Sequence, residues 1–285
     1  MNKIAIAICG SSGIDYIYPN HGMKVFRSFV YIDEKEYIDY INITVDEFYH
    51  LIQQDPEVHS AQVSTGTLVA MFNELKTEGY TDVIAITISS GLSGTYQGIC
   101  VAKDLIRGIR IHPFDSLIIG YPEAKMALIA KQMIDRGASV AQILQKLIEM
   151  RASQRLMIVV DNLKYLVKSG RLSTFSGLLG GLLKIKPCLG VNTEGKVVVE
   201  EKIRTKQKSI ERIIARFLEE VKDKNIEPYM LYTSNYEEVA SIRTQILLQT
   251  KQFSDIKLYA VPPVIGVHSG PGAFGIGYTI GDNDE

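Results

Sequence analysis

Short apolar segments alternate with amphipathic segments along the chain. Several of the apolar segments are continuous aliphatic runs, such as those at 83–88 and 156–160. Runs that are apolar on both faces are typical of parallel strands covered by helices on both sides. We predict strands over 3–9, 24–32, 82–88, 109–112, 156–160, 185–192, 196–204, 228–233 and 256–261.

Helical patterns fill the intervals between these strands. Apolar residues at 210–221 recur at the three- and four-residue spacing of a helix with one buried face, and 140–148 shows the same spacing. Thr44 and Glu47 are spaced as in a capping box, which predicts a helix over 45–54. Alternation of strands and helices predicts the α/β class.

One pair of strands departs from this alternation. Only Thr193, Glu194 and Gly195 separate two strand-like runs, which predicts an antiparallel hairpin in the second half of the chain. The length of 285 residues corresponds to about two domains. We therefore expect a parallel-sheet N-terminal α/β domain at 1–160 and a C-terminal α/β domain with antiparallel strands at 161–285. No linker marks the boundary, so the domains could exchange segments.

Charge and composition exclude several classes of function. Lys and Arg number 31 against 32 Asp and Glu, whereas nucleic-acid binders usually carry a basic excess. No segment approaches the roughly 18 apolar residues of a membrane span, and the N-terminus lacks the pattern of a signal peptide. The three cysteines are too few and too far apart for a disulfide framework, and the five histidines lack metal-ligand spacing. We expect a cytoplasmic protein without a metal or cofactor, with no nucleic-acid partner and at most transient membrane contact.

A hydroxyl-rich turn follows the strand predicted at 82–88. The segment Ser89-Ser90-Gly91-Leu92-Ser93-Gly94-Thr95 precedes a helical pattern, so it would place hydroxyl and backbone N–H groups at a helix N-terminus. Such a turn favours an anion, although Ser and Thr are also ordinary helix caps. Part of it nearly matches the nucleophile elbow G-x-S-x-G, but the last glycine is missing.

A second motif lies near the end of the chain. Gly270, Gly272 and Gly275 formally match the dinucleotide-binding pattern G-x-G-x-x-G. Pro271 interrupts the pattern and no long helix can follow, which excludes a dinucleotide site. We interpret 266–277 as a glycine-dense loop that approaches a ligand closely. His268 at its front edge could donate a proton or a hydrogen bond, or serve a structural role.

Three further segments carry polar residues with an ordinary structural explanation. Ser60 opens a hydroxyl-rich helix entry at 60–66, for which helix capping alone is the favoured interpretation. Lys168 and Arg171 form a small basic patch in a segment patterned like a solvated amphipathic helix. The alternation at 201–206 could turn Arg204 toward an anion or leave it exposed on an edge strand.

In their order along the chain these motifs resemble the DegV family of bacterial fatty-acid-binding proteins. The matching segments are SSGLSGTYQ at 89–97, DNLKYLVKSGRLS at 161–173, KIKPCLGVNTEGKV at 184–197, EKIRTK at 201–206 and IGVHSGPGAFGIGY at 265–278. They span most of the chain. The resemblance implies a two-domain α/β protein that holds one long-chain fatty acid in an apolar tunnel. The segment 177–183 could supply a tunnel wall, with close helix packing as the alternative.

The resemblance also implies a role and a set of site residues. Family members resemble the binding subunit of fatty acid kinase, which presents the acyl carboxylate to a separate kinase subunit for acyl-phosphate formation. The head-group residues implied here are Ser60, Ser93, Arg204 and His268, and we add Gly94 beside Ser93. Arg171 matches an arginine implicated in docking the kinase, and we assign Lys168 to the same surface.

The chain departs from the family pattern in three places. Ile8-Cys9-Gly10-Ser11-Ser12 stands where the family has T-D-S-T/S, so the aspartate is missing. Ser60-Ala61-Gln62-Val63-Ser64 replaces T-S-Q-P-S, and Ile119-Gly120-Tyr121-Pro122 replaces an S-x-G-x-G run. We therefore expect the tunnel entrance and the acyl preference to differ from the family's.

Two functions of other classes stay open beside the lipid carrier, which is itself not an enzyme. One is a serine hydrolase or esterase that uses Ser93 as nucleophile and His268 as base, although the sequence names no acid partner for that histidine. The other is a module that binds phosphate or a sugar phosphate.

Overall fold

The computed structural model describes residues 3–172 and 185–280. The strands are β1 (Ile4–Cys9), β2 (Lys24–Phe26), β3 (Phe29–Ile32), β4 (Lys35–Ile38), β5 (Val58–Ala61), β6 (Asp82–Thr87), β7 (Arg110–Asp115), β8 (Arg155–Val159), β9 (Cys188–Val191), β10 (Val197–Glu201), β11 (Ile226–Tyr232), β12 (Lys257–Ala260) and β13 (Phe274–Ile280). The helices are α1 (Ile14–Ile17), α2 (Val45–Leu51), α3 (Thr65–Thr77), α4 (Thr95–Leu105), α5 (Tyr121–Asp135), α6 (Val140–Ser153), α7 (Lys164–Lys168), α8 (Lys206–Val221), α9 (Tyr236–Gln249) and α10 (Pro263–Ser269). None of these helices is long and apolar enough to cross a membrane.

The first sheet is parallel, with the strand order β2-β1-β6-β7. Every residue of β6 is buried, as its continuous apolar run predicts. One face of the sheet packs on α3 and α4, through residues such as Phe72 and Ile99. The other face packs on α5 and α6, through residues such as Met126 and Leu147. Because both faces are covered by helices, the strands are apolar on both sides.

The second sheet has six strands in the order β10-β9-β8-β13-β11-β12. Its pairs are antiparallel except β11 with β12. The predicted hairpin is confirmed, because Val191 of β9 pairs with Val197 of β10. The outer face packs on α8 and α9, and the inner face packs on Ile118 and Ile119 of the loop after β7. The predicted combination of a parallel and a mixed sheet is therefore confirmed.

The single strand predicted at 24–32 is wrong. β2 belongs to the parallel sheet, whereas β3 lies in a small antiparallel sheet of order β4-β3-β5. Arg27 stands between the two strands and donates to both carboxylate oxygens of Asp15, at 2.8 Å each. This ion pair fixes the chain where it leaves one sheet for the other.

The interpretation of 266–277 as a loop is wrong at both ends, because 266–269 belong to α10 and 274–277 belong to β13, a central strand. The strand alternates glycine with larger residues, so no continuous apolar pattern marks it. The glycines let neighbouring strands approach closely: a Cβ at Gly277 would overlap the carbonyl oxygen of Arg155. Sequence-based strand prediction depends on a pattern of side chains, and the glycines of β13 carry none.

The predicted division at 160 assigns β8 to the N-terminal domain. In the structure β8 pairs with β9 and β13, so the chain enters the six-stranded sheet at Arg155. In return α10, from the last part of the chain, contributes Val264 and Val267 to the core beside β3 and α2. The position of a domain boundary and the exchange of segments between domains stay predictions.

Candidate functional site

The site lies at the carboxyl edge of the parallel sheet. β1 and β6 are neighbours there, with β2 on the far side of β1 and β7 on the far side of β6. The loops after β1 and β6 therefore leave the sheet where the strand order reverses, which is where open α/β sheets bind their ligands. The hydroxyl-rich turn that begins at Ser89 is one of these two loops.

A cavity separates this edge from the inner face of the six-stranded sheet. Its walls are mainly aliphatic, and include Ile88, Leu92, Leu156, Ile158, Leu231 and Val264. The cavity volume is about 150 Å³. An apolar space of this kind favours an apolar ligand over water. The segment 177–183, considered as a tunnel wall, lies outside the described residues.

The polar lining of this cavity contains most of the predicted site residues. Ser60 comes from β5, Ser93 and Gly94 from the start of α4, Arg171 from the segment after α7, and His268 from α10. Four separate parts of the chain thus converge on one place. The approach is close at Gly94, where a Cβ would stand 2.5 Å from the side-chain oxygen of Gln62.

Ser60 and His268 form a direct pair, with Oγ and Nε2 2.8 Å apart. Burial, together with the positive charge of Arg171, lowers the pKa of His268 to about 4. The imidazole is therefore neutral at neutral pH. Its second nitrogen, Nδ1, is buried and has no hydrogen-bond partner among the described residues. The ring presents a neutral hydrogen-bonding group to the cavity and carries no permanent charge.

Ser93 stands immediately before α4. Its Oγ accepts a hydrogen bond from the backbone N–H of Thr95 at 3.3 Å and lies 2.9 Å from the Thr95 hydroxyl. The first N–H groups of a helix have no partner within the helix and carry a partial positive charge. Ser93 and Gly94 therefore place a hydroxyl and a helix N-terminus at the cavity, which suits a carboxylate.

The two basic residues assigned to partner docking occupy different environments. Arg171 is half-buried in the cavity wall, where its Nε donates to the carbonyl of Leu92 at 3.2 Å. Lys168 is exposed and pairs with Glu57 at 3.2 Å, in an open groove that adjoins Ser60 and His268. Arg171 thus lines the same cavity as Ser60, Ser93 and His268, which the sequence did not indicate.

Arg204, predicted to share the site, is exposed and does not line this cavity in the part of the chain that the structure describes. The strand predicted at 196–204 ends at Glu201, so the alternation that would orient Arg204 inward stops before it.

Sequence reasoning missed Ser28 and Gln62, which also line the cavity. Antiparallel pairing of Phe29 with Ala61 brings these two residues to neighbouring positions. The pairing of β3 with β5 was not predicted, because β5 was interpreted as a helix entry. The inclusion of Gln62 in the T-S-Q-P-S-like segment was the one available signal.

The geometry gives the hydrolase interpretation little support. Ser93 has its hydrogen bonds with Thr95, whereas His268 pairs with Ser60. No carboxylate orients Nδ1 of His268 within the described residues, as a catalytic base of that kind needs. Across 3–172 and 185–280, no three His, Cys, Asp or Glu side chains gather as metal ligands.

Comparison with known proteins identifies the family. The family model of DegV matches residues 3–280. The chain belongs to the DegV family. A DegV domain-containing protein of Clostridium acetobutylicum is 31% identical over 278 residues, which cover 97% of this chain and 98% of that protein. The resemblance noted in the sequence is therefore confirmed.

Solved structures of DegV proteins share the fold. The fatty acid binding DegV family protein of Streptococcus agalactiae superposes with a TM-score of 0.91 at 30% identity, covering 99% of this chain and 100% of that one. DegV of Bacillus subtilis, described as a fatty acid binding protein, gives a TM-score of 0.87 at 30% identity and covers 98% of this chain and 100% of its own. The fold is thus common to these three proteins.

Proposed function

We propose that this DegV protein binds one long-chain fatty acid in the cavity, with the carboxylate at Ser60, Ser93 and His268. The observation that carries the proposal is an aliphatic cavity whose polar lining is a convergent set of hydroxyl, imidazole and helix N-terminal groups. The fatty acid binding of the two solved relatives supports the same ligand class.

The head group is held by donors that are already in place. The Ser93 hydroxyl, the N-terminus of α4 and the Ser60–His268 pair each supply a hydrogen-bond donor to a carboxylate. Because Ser60 and the neutral ring of His268 bond to each other, the pair has one proton left to donate. Hydrogen bonds to a charged group contribute about 1.5–3 kcal/mol each. The charge of Arg171, which already acts on His268, adds attraction for the anion. Few permanent charges are needed, in keeping with the net charge of −1.

The acyl chain supplies most of the affinity. Each CH₂ group moved from water into the aliphatic cavity stabilises the complex by about 0.8 kcal/mol. The head group alone, as in acetate, would therefore bind too weakly to compete with water. A carrier built in this way selects long-chain ligands by their length and anchors them by their carboxylate.

Isothermal titration with palmitate and with its matched alcohol, hexadecanol, tests the proposal. We expect one palmitate per chain and at least 10-fold weaker binding of hexadecanol, because the alcohol has the same tail but no carboxylate. Equal binding of both would contradict the head-group assignment. Binding of neither would contradict the ligand class.

We further propose that the bound carboxylate is presented to a separate fatty acid kinase subunit in the cytoplasm. A carboxylate oxygen would bond to the γ-phosphorus of ATP while the bond to ADP breaks, giving an acyl-phosphate. The open groove beside Ser60 and His268 gives a partner access to the head group, and Lys168 with Arg171 lines it. These two residues are the proposed docking contacts.

Reconstitution with ATP and a fatty acid kinase catalytic subunit tests this step. Lys168→Ala should lower the initial rate of acyl-phosphate formation several-fold at saturating fatty acid and subsaturating kinase, with fatty-acid affinity unchanged, because Lys168 is exposed outside the cavity. Lys131→Ala is the matched control, since Lys131 is a lysine on α5 that pairs with Asp135 and does not line the groove. Equal rates for the two variants would contradict docking through Lys168.

A further inference from the structure

A second polar cluster reaches the cavity at the loop after β1. The hydroxyl of Ser11 donates to Oε2 of Glu123 at 3.1 Å, and both residues are buried. Ser11 also lines the cavity, next to Cys9. The other carboxyl oxygen, Oε1 of Glu123, is buried and has no hydrogen-bond partner among the described residues. Polar groups therefore stand behind one part of a mainly aliphatic wall.

Ser11 and Glu123 are 112 residues apart in the chain, yet a hydrogen bond joins them. Ser11 belongs to the segment Cys9-Gly10-Ser11-Ser12, which replaces a family sequence containing aspartate. Glu123 directly follows Ile119-Gly120-Tyr121-Pro122, a second departure from the family pattern. Ser11 lines the cavity, and Glu123 supports Ser11 from behind the wall through this bond.

The environment of Glu123 favours the neutral form of its carboxyl group. Burial raises its pKa well above the ordinary value, and the negative charge of Asp115 raises it further, against the hydrogen bond from Ser11. Native proteins seldom leave a buried polar atom without a partner, because its lost hydrogen bonds with water are then not replaced. The neighbouring Cys9 thiol stays protonated, since burial raises its pKa to about 12.

We propose that Ser11, backed by Glu123, forms a second polar subsite that takes a hydroxyl group carried on the acyl chain. This inference rests on the proposed fatty-acid function and names hydroxylated long-chain fatty acids as its ligand class. A serine hydroxyl and a neutral carboxyl each donate and accept hydrogen bonds, and so does an alcohol. The negative charge of Asp115, which acts on Glu123, disfavours a second anion beside this pair. A plain methylene at the same place would leave the cluster without a ligand partner.

Calorimetric titration of stearate and of a series of stearates, each with one hydroxyl at a different carbon, tests the subsite. We expect at least one positional isomer to bind about 10-fold more tightly than stearate. Ser11→Ala should remove that preference, so that the isomer and stearate bind the variant with equal affinity. Glu123→Gln should retain a preference, because a neutral amide replaces a neutral acid of the same shape. Ser241→Ala, at an exposed serine on α9, is the control.

The titration results distinguish a failure of this subsite from a failure of the proposed function. If stearate binds and no hydroxylated isomer binds more tightly to the natural protein, the subsite is contradicted and the fatty-acid function stands. This comparison needs no variant and does not depend on the folding of Ser11→Ala. An unchanged preference in folded Ser11→Ala also contradicts the subsite. If neither stearate nor any isomer binds, the proposed function itself is contradicted.

Discussion

Ser60 and His268 are 208 residues apart in the chain, and their side chains meet at 2.8 Å. They meet because α10 packs beside the small antiparallel sheet that contains β5. Each residue could be named from its motif, but their pairing depends on that packing, which no local pattern encodes. The pair supplies hydrogen bonds without a permanent charge, because burial keeps His268 neutral.

Replacing His268 tests this pair as part of the head-group site. His268→Ala removes one hydrogen bond to a carboxylate, worth about 1.5–3 kcal/mol, so palmitate should bind roughly 10- to 100-fold more weakly in a calorimetric titration. His59→Ala is the matched control, since His59 is exposed and stacks on Tyr31. Equal affinities for the two variants would contradict the role of His268.

The lowered pKa of His268 also predicts a pH dependence of stability. The unfolded state binds a proton near the ordinary histidine pKa of about 6.5, whereas the folded state binds it only near a pKa of about 4. Between these values the unfolded state holds more protons, so His268 destabilises the fold increasingly as the pH falls from 6.5 to 4. Burial raises the pKa of Asp39 to about 6, so the folded state binds this proton more readily than the unfolded state. Asp39 therefore stabilises the fold as the pH falls.

Comparison with His268→Gln isolates this contribution. The free energy of unfolding in urea should fall more between pH 7 and pH 4.5 for the natural protein than for His268→Gln. Asp39 titrates in both proteins, so its effect cancels in the difference. Parallel pH profiles would contradict a neutral, buried His268.

At the scale of elements, the β9–β10 hairpin holds the loop that presents Ser93. The hydroxyl of Ser89 donates to the carbonyl of Gly195 at the hairpin tip, at 2.7 Å. Gly195 has φ of 72°, and a Cβ there would overlap the Ser89 hydroxyl oxygen. Gly91 meets the same tip, where its Cβ would stand 2.8 Å from the carbonyl oxygen of Glu194. The second sheet thus positions a binding loop of the first.

Gly195→Ala tests the hairpin contact. Gly137 has a similar φ of 81° but open space around it. Gly137→Ala should therefore lower the free energy of unfolding only by the backbone strain of about 1 kcal/mol. Gly195→Ala adds the overlap with Ser89, for which we expect about 1–3 kcal/mol more in urea denaturation, together with weaker palmitate binding. Equal destabilisation by the two variants would show that the tip does not pack tightly on the loop.

Elements marked by an aliphatic run or a helix cap could be predicted from the sequence. Elements whose position depends on residues distant in the chain could not. β6 and β8 are buried on both faces and therefore appear as aliphatic runs. The capping box of Thr44 and Glu47 is local and is confirmed. β13 could not be predicted, because its glycines give it no apolar pattern and instead allow neighbouring strands to approach closely. Arg204 does not line the cavity, because β10 ends at Glu201 and nothing in the sequence marks that end.

Across the whole molecule, a polar contact joins the parallel-sheet half to the six-stranded sheet beside the cavity. The Tyr121 hydroxyl donates to the Glu227 carboxylate, and Lys125 Nζ lies 2.7 Å from the same group. The Tyr121 ring also stacks on Tyr259, with centroids 3.9 Å apart. Because Tyr121 follows the cavity-lining Gly120, this contact joins the first sheet's α5 to β11 and β12 at the cavity wall.

Glu227→Gln tests this connection. The neutral amide removes the charge that Lys125 faces in a partly buried pair, so we expect about 1–3 kcal/mol lower stability in urea denaturation. Glu237→Gln, at an exposed position on α9, is the control and should change stability by less than about 0.5 kcal/mol. Equal stabilities would indicate that the halves are joined by apolar packing alone.

The central claim, that the cavity holds a fatty acid, is tested most directly on the purified protein. Native mass spectrometry should show one bound molecule per chain, and solvent extraction of the same sample should release a long-chain fatty acid, plain or hydroxylated. A protein that carries no acyl chain and takes up neither palmitate nor oleate when they are offered would contradict the account.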